Sequence, residues 1–120
     1  MSYRLERKFV CERLGIGIWP CRELFKASYL SYVDSADVIA LLNESRRGRE
    51  PELDFIPSDI ITPEQAEKET GIPAKRLLRW ARTRKLRVPP HFHLSNKTIR
   101  FRRSSLNEWL DRRMGVRAHG

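Results

Sequence analysis

The sequence lacks several features that would place it in common functional classes. No apolar run approaches the ~18 residues of a membrane span, and the opening residues lack the apolar stretch of a secretory signal. Only two cysteines are present, Cys11 and Cys21, and they form no CxxC pair, so we expect buried thiols rather than a disulfide. No phosphate-binding glycine loop, nucleophile elbow or dinucleotide fingerprint occurs. These absences predict a cytoplasmic protein that is not an enzyme and uses no cofactor.

Histidine is also scarce, and two of the three residues, His91 and His93, flank Phe92 in the segment HFH. Their spacing, with or without the cysteines, fits no zinc motif, so no metal site is predicted. We expect both rings to face solvent on a strand, where a phosphate contact is the alternative role.

Acidic residues are rare in only one part of the chain. Residues 1–59 contain 9 Lys or Arg and 10 Asp or Glu, whereas residues 60–120 contain 15 and 5. The first part therefore has a formal charge of about −1 and the second about +10, which together give the net charge of +9. A cationic surface confined to one region is typical of proteins that contact phosphate backbones, although a basic surface that only maintains solubility is the alternative.

Between these parts, residues 44–60 are predicted to form a linker. The segment is charged, contains Gly48, Pro51 and Pro57, and shows no sustained periodicity. Phe55 and Ile56 interrupt it, and we expect them to dock on a neighbouring module. Residues 114–120 are predicted to be a flexible tail.

The second part predicts two helices separated by a tight turn. Thr62-Pro63 is a helix start, and Gly71 suits the left-handed cap that ends the helix near Thr70. The following segment AKRLLRWARTRK places apolar residues on one side and cations on another.

A hairpin and a last helix are predicted to follow. Pro89-Pro90 excludes helix, the alternation in residues 98–102 is typical of a half-buried strand, and HLSNK has the composition of a turn. A final helix from Ser104 or Ser105 places Leu106, Trp109 and Leu110 on one face, where Trp109, like Trp80, is expected to pack in the core.

In this order of elements, ITPEQAEKETGIPAKRLLRWARTRKL followed by TIRFRRSSLNEWLDRR resembles the excisionase and MerR-like winged helix-turn-helix family. The similarity covers residues 61–113 and keeps the order and spacing of the whole series. Two departures are the longer hairpin, rich in Pro and His, and Arg84 in place of a glycine, which would let the second helix run one residue further. The implied fold is mainly α with a small β-hairpin wing.

The resemblance implies a recognition helix at residues 74–83, with Lys75, Arg76 and Arg79 in the major groove of double-stranded DNA and Arg82 at phosphate. It also implies hairpin and flanking contacts to the DNA backbone or minor groove from Asn96, Lys97, Arg100, Arg102 and Arg103.

The first part aligns with the second at an offset of 56 residues that becomes 68 after the hairpin, which places Leu14-Gly15-Ile16 over Thr70-Gly71-Ile72. We therefore predict that residues 1–43 are a degenerate, wingless copy of the same fold. The residues expected on its outer face are the apolar and mixed-charge set Ile18, Trp19, Arg22 and Glu23. Such a face favours a protein interface, and the alternative is that Ile18 and Trp19 pack on Phe55 and Ile56.

The function implied by the resemblance is that of a nucleoid-associated recombination directionality factor. Such a protein would bind repeated DNA sites, self-associate on them and assist an integrase in excising a mobile element or prophage, with no role for a membrane. The alternatives are a transcriptional regulator of a phage, plasmid or mobile element, and a protein-binding adaptor tethered to DNA.

Overall fold

The computed structural model describes residues 3–25, 32–83 and 88–114, in which six helices and two small antiparallel sheets are present. The elements in chain order are β1 (Arg4–Glu6), α1 (Arg7–Leu14), α2 (Ile18–Phe25), β2 (Tyr32–Asp34), α3 (Ser35–Glu44), β3 (Arg46–Arg47), β4 (Ile60–Ile61), α4 (Pro63–Thr70), α5 (Ala74–Arg82), β5 (His91–Ser95), β6 (Thr98–Arg102) and α6 (Arg103–Met114). No helix of these described ranges is long and apolar enough to cross a membrane.

Helix α4 begins and ends where the sequence predicted. The Thr62 hydroxyl accepts a hydrogen bond from the Gln65 backbone N–H, and the Gln65 side chain accepts one from the Thr62 backbone N–H, so the two residues form a capping box. Pro63 occupies the first helical position, and Gly71 ends the helix in the left-handed region with φ 77°.

Helix α5 is shorter and α6 begins earlier than predicted. Helix α5 ends at Arg82 because Thr83 has extended backbone angles and its hydroxyl donates to the Trp80 carbonyl at 2.9 Å. The predicted extension at Arg84 and the segment 84–87 lie outside the described residues. Helix α6 begins at Arg103 because the Asp59 carbonyl and carboxylate accept the backbone N–H groups of Arg103 and Ser104 at 2.8 and 3.1 Å.

The β5–β6 hairpin lies at the centre of the molecule. It is joined by β3 and β4 in a four-stranded sheet of order β3-β5-β6-β4. Phe92 and Leu94 on one face complete the core built by α1, α2 and α3, whereas Ile99 and Phe101 complete the core built by α4, α5 and α6. The alternating strand pattern was predicted correctly, but apolar residues of the hairpin face a helical layer on both sides.

The packing of helices on both faces of the sheet also explains why the prediction of solvent-facing histidine rings was wrong for His91. His91 is only 1 % exposed, and its Nδ1 lies 2.8 Å from the Pro89 carbonyl oxygen, while His93 is half-buried. Burial lowers the pKa of His91 and thereby favours the neutral ring. His91 does not face solvent, because the C-terminal core covers that face of the sheet, whereas His93 remains partly accessible.

The segment predicted as a linker is built into the fold. Its Leu53 is buried and exchanges two backbone hydrogen bonds with the Asn43 side chain, at 2.9 and 2.8 Å. Pro57 is also buried, and Ile56 packs on the N-terminal core. Phe55 remains 49 % exposed, with the Arg102 guanidinium 5.2 Å from its ring centroid.

A similar series of elements occurs on each side of this segment. Residues 3–44, here called the N-terminal unit, run strand, helix, helix, strand, helix, and residues 60–114, the C-terminal unit, run the same way with one extra strand. In both, the first strand pairs antiparallel with the strand that precedes the last helix, through Leu5 opposite Val33 and Ile61 opposite Phe101.

Backbone details of the two units also correspond. The first helix of each unit ends at a glycine in the left-handed region, Gly15 with φ 64° and Gly71 with φ 77°. The last helix of the N-terminal unit begins where Ser35 N–H donates to the Tyr3 carbonyl at 2.8 Å, and the equivalent bond in the C-terminal unit, between Arg103 and Asp59, has the same length.

Candidate nucleic-acid interface

Helices α4 and α5 are held by a three-residue turn. The Glu67 carboxylate, near the end of α4, accepts the first backbone N–H of α5, from Ala74, at 2.6 Å. In the turn, Ile72 is buried and its N–H donates to the Thr70 hydroxyl at 3.2 Å. Leu77 on α5 is fully buried in the same core. This arrangement fixes which face of α5 points outward.

The outward face of α5 is cationic. Leu77 and Ala81 face the core, whereas four basic side chains, here called the cationic face, are exposed to solvent. They are Lys75, Arg76, Arg79 and Arg82. Because the opposite side of the helix is anchored by packing, these four cations are presented together on a rigid element.

The tip of the hairpin lies beside this face. The Arg82 guanidinium donates to the Asn96 carbonyl at 3.3 Å, which ties the end of α5 to the turn between β5 and β6. Asn96 and Lys97 are both exposed in that turn. Six of the nine residues predicted to contact DNA are therefore exposed on α5 and the adjacent hairpin tip.

Arg100 lies elsewhere. Its guanidinium donates to the carbonyls of Leu14 and Gly15 at 2.7 and 2.6 Å and to the Ile99 carbonyl at 2.8 Å. Burial lowers the pKa of Arg100, and the Glu64 carboxylate partly opposes this shift. Arg100 thus connects β6 to the C-terminal carbonyls of α1, whose partial negative charge attracts a cation.

Arg102 and Arg103 are also engaged within the chain. Arg102 pairs with Asp59 at 2.8 Å, and Arg103 makes two hydrogen bonds to the Glu69 carboxylate, at 2.5 and 2.8 Å. Burial raises the pKa of Asp59, but the hydrogen bonds from Arg102 and Ser104 outweigh it and the net pKa is lowered. These contacts brace the start of α6.

The outer face of α2 differs from that of α5. Ile18 is 56 % exposed and Trp19 is 71 % exposed. The Arg22 guanidinium lies 5.0 Å from the Trp19 ring centroid, and Glu23 is exposed. Of the four residues predicted as a protein interface, Ile18, Trp19 and Glu23 are therefore exposed, whereas Arg22 is half-buried.

Beside Ile18, a cavity of about 730 Å³ opens between α1 and β2. Apolar or small residues and charged residues of β1 and α1 line it together. The lining residues are Glu6, Arg7, Lys8, Cys11, Glu12, Gly15, Ile16, Ile18 and Tyr32.

The two cysteines are free and buried, as the sequence predicted. Burial and a hydrogen bond with the Cys11 thiol raise the pKa of Cys21 to about 12, so this thiol stays protonated at neutral pH. In the described part of the chain, no group of three or more His, Cys, Asp or Glu side chains could hold a metal ion.

Sequence reasoning missed a cluster at the end of α6. The Arg113 guanidinium lies 4.9 Å from the Trp80 ring centroid and 5.1 Å from that of Trp109, and the two rings are 5.6 Å apart. The four-residue spacing of Trp109 and Arg113 indicates a shared helix face and could have suggested the contact. The contribution of Trp80 from α5 requires the tertiary structure.

Comparison with known proteins supports the interpretation of the C-terminal unit. Residues 60–114 match the family model of a helix-turn-helix domain, a span that begins at β4 and ends with α6. No curated protein and no solved structure matches the chain. A helix-turn-helix domain indicates DNA as the partner of this part of the protein.

Proposed function

Given a helix-turn-helix domain at residues 60–114, we propose that the protein binds double-stranded DNA sequence-specifically as a winged helix-turn-helix. Helix α5 is the recognition helix in this proposal, and the β5–β6 hairpin is the wing. The observation that carries the proposal is the cationic face of α5, exposed as a set beside the exposed hairpin tip. A helix of this kind fits the major groove of B-DNA.

The roles of the individual residues follow from their positions. Arg76 and Arg79 read base edges, because an arginine fork can donate two hydrogen bonds to guanine O6 and N7. Lys75 faces the major groove beside them, and Arg82, together with Asn96 and Lys97, contacts phosphates and orients α5. Arg100 and Arg102 have no direct role here, since both are half-buried and held by intramolecular acceptors, whereas the exposed Arg103 keeps its predicted phosphate contact.

Within this class, the proposed role is that of an excisionase-like recombination directionality factor acting with an integrase. The N-terminal unit serves as a degenerate copy of the DNA-binding unit, a relation supported by the matching strand pairs and helix starts. At the positions equivalent to the cations of α5, it presents Trp19 and Glu23. That face forms contacts between protomers bound to adjacent DNA sites.

The proposal is tested by selecting fragments of the sheared source genome with the purified chain at moderate salt and sequencing them. Enrichment of closely spaced direct repeats beside an integrase gene supports the excision role. Enrichment of inverted repeats over promoters contradicts that role and favours a transcriptional regulator. Absence of any enriched sequence contradicts sequence-specific binding itself and favours the tethered adaptor.

Variants of α5 test the assignment of the recognition helix. Arg79→Ala is expected to weaken binding to the selected site by about 1–3 kcal/mol and to relax the base preference at one position. Lys8→Ala, which removes an exposed cation from α1, is the matched control and should bind normally. Equal weakening on every duplex would show that Arg79 contacts only phosphate.

A further inference from the structure

A second cationic site lies away from the cationic face of α5. A cavity of about 480 Å³ opens between the turn after β3 and the C-terminal end of α6. Among the described residues that line it, three are arginines and none is acidic. The lining residues are Gly48, Arg49, Val88, Pro90, Trp109, Arg112 and Arg113, here called the arginine pocket.

The guanidinium of Arg113 lies against two aromatic rings. Its carbon Cζ is 4.9 Å from the Trp80 ring centroid and 5.1 Å from that of Trp109, so the two rings limit where the side chain can lie. A guanidinium carries five N–H donors and no acceptor, which suits it to binding an anion. A planar fork of donors matches the geometry of phosphate oxygens.

The turn that carries Arg49 is held in an uncommon conformation. Arg49 has φ 68° and is the one non-glycine residue with positive φ in the described parts of the chain. The preceding Gly48 has φ 65°, and a Cβ atom there would lie 2.5 Å from the Pro89 carbonyl oxygen. Glycine would adopt the conformation of residue 49 more readily than arginine. Residues with strained backbone angles occur more often than elsewhere at active sites and ligand-binding sites, where the conformation places a functional side chain.

Arg112 contributes a third cation to the pocket with only a weak partner. It pairs with Glu108 at 3.4 Å, and both side chains are 70 % exposed. Exposed pairs of this type contribute little to stability because water and salt screen them. Little free energy would therefore be lost if a phosphate replaced Glu108 as the partner of Arg112.

Side-chain contacts connect the arginine pocket to the proposed recognition helix. Trp80 belongs to α5 and contacts both Trp109 and Arg113, and Val88 and Pro90 precede β5 at the end of the connection from α5. We propose that the arginine pocket binds a backbone phosphate of the DNA that flanks the segment read by α5. This inference rests on the proposed function and extends its footprint beyond the helix and the wing.

The test compares the full chain with Arg49→Gly/Arg112→Gln, which removes two cations and relieves the strained backbone at residue 49. The matched control is Arg4→Gln/Lys8→Gln, which removes two exposed cations from the N-terminal unit. Affinity is measured by fluorescence anisotropy across a salt series, on a duplex of about three helical turns centred on the selected site and on one trimmed to about one turn.

On the long duplex, the pocket variant is expected to bind about tenfold more weakly, and the slope of log affinity against log salt should become shallower by about 1, as for the loss of one phosphate contact. On the short duplex, both variants should bind as the unchanged chain does. Thermal unfolding at or above the temperature of the unchanged chain would establish that the pocket variant is folded.

Other outcomes overturn the inference in recognisable ways. Equal binding of the pocket variant and the unchanged chain to the long duplex shows that no flanking phosphate is bound, while the role of α5 stands. Equal weakening on both duplexes overturns the flanking position. Unchanged DNA binding with lost binding to poly-glutamate assigns the pocket to an acidic protein instead. If the unchanged chain binds neither duplex, the proposed function itself fails.

Discussion

The N-terminal and C-terminal units use the same order of helices and strands for different surfaces. Both begin with a strand, turn at a left-handed glycine between two helices, and start their last helix on an equivalent backbone hydrogen bond. The outer face of α5 is cationic, whereas that of α2 exposes Ile18 and Trp19. The backbone arrangement is thus compatible with either surface, and the outward side chains decide the partner.

The units also share the β5–β6 hairpin, of which only β6 has a counterpart, β2, among the described residues of the N-terminal unit. Each face of the hairpin completes a different core. The hairpin, expected to act as a wing, therefore also joins the two units, so that neither core is complete without it.

The largest effect is expected at the hairpin residue that serves the N-terminal core. Phe92 is fully buried there, so Phe92→Ala should lower the free energy of unfolding by about 3–5 kcal/mol. Chemical denaturation should show a single transition for both units, measured by tryptophan fluorescence and circular dichroism. Phe55→Ala, at a half-exposed ring, is the control with a much smaller loss. Two separate transitions would contradict the shared core.

Arg100→Ala should destabilise the chain by about 2–3 kcal/mol, because it leaves the carbonyls of Leu14 and Gly15 without their charged donor. Urea unfolding measures this loss, and DNA affinity per folded molecule should not change. If stability is unchanged and DNA binding is weaker, Arg100 contacts DNA, as the sequence analysis predicted.

Substitution by alanine should destabilise the fold to different extents at the two equivalent glycines, Gly15 and Gly71. Both have positive φ, which alone costs about 1–2 kcal/mol for a residue with a Cβ. A Cβ at Gly15 would also lie 3.0 Å from Thr62 Cγ2 and 3.3 Å from Arg100 Nε, whereas no atom lies within 4 Å of one at Gly71. Gly15→Ala should therefore lower the melting temperature more than Gly71→Ala. Equal losses would show that the junction between the units is loosely packed.

Trp19→Ala should separate the roles of the two outer faces. We expect it to leave binding to a single DNA site unchanged while weakening cooperative binding to adjacent sites, because the side chain lies on α2 and not on α5. Mobility-shift titrations on one-site and two-site duplexes measure both quantities. Retained cooperativity in a folded variant would remove α2 from the protomer interface.

The smallest effect is expected at Glu50, a buried carboxylate that accepts a hydrogen bond from Ser105 at 2.9 Å. Burial raises its pKa above the ordinary value of 4.5, so the folded state holds this proton more tightly than the unfolded chain does. The charged form therefore destabilises the fold as pH rises through the raised pKa. Glu50→Gln should raise the melting temperature at pH 7 but not below about pH 4. A lower melting temperature at pH 7 would mean that Arg102 and Arg46 require the charge.

Much of the C-terminal unit was predictable because its signals are local. The capping residues around Thr62, the left-handed Gly71 and the apolar spacing of α5 each depend on neighbours within a few positions. The same is true of the outward set Lys75, Arg76, Arg79 and Arg82, since helical periodicity places residues on a face once the opposite face is known to be apolar.

Other features were not predictable from local patterns. Strand alternation shows that Phe92 shares a face with Leu94, but it does not show which helices will cover that face. For this reason the burial of His91 and the engagement of Arg100 by α1 were missed, as was the incorporation of the predicted linker through Leu53.

The sequence by itself determined the helix boundaries of α4, the cationic face of α5 and the uneven charge of the two parts of the chain. The tertiary structure was needed to show which cations are held by partners distant in the sequence, because carbonyls and carboxylates far along the chain engage Arg100, Arg102 and Arg103, of which Arg103 stays exposed. The two kinds of feature differ in the distance along the chain over which they act. Caps and periodicity act within a turn of helix, whereas the burial and pairing of a charge depend on groups up to 86 positions away in the chain.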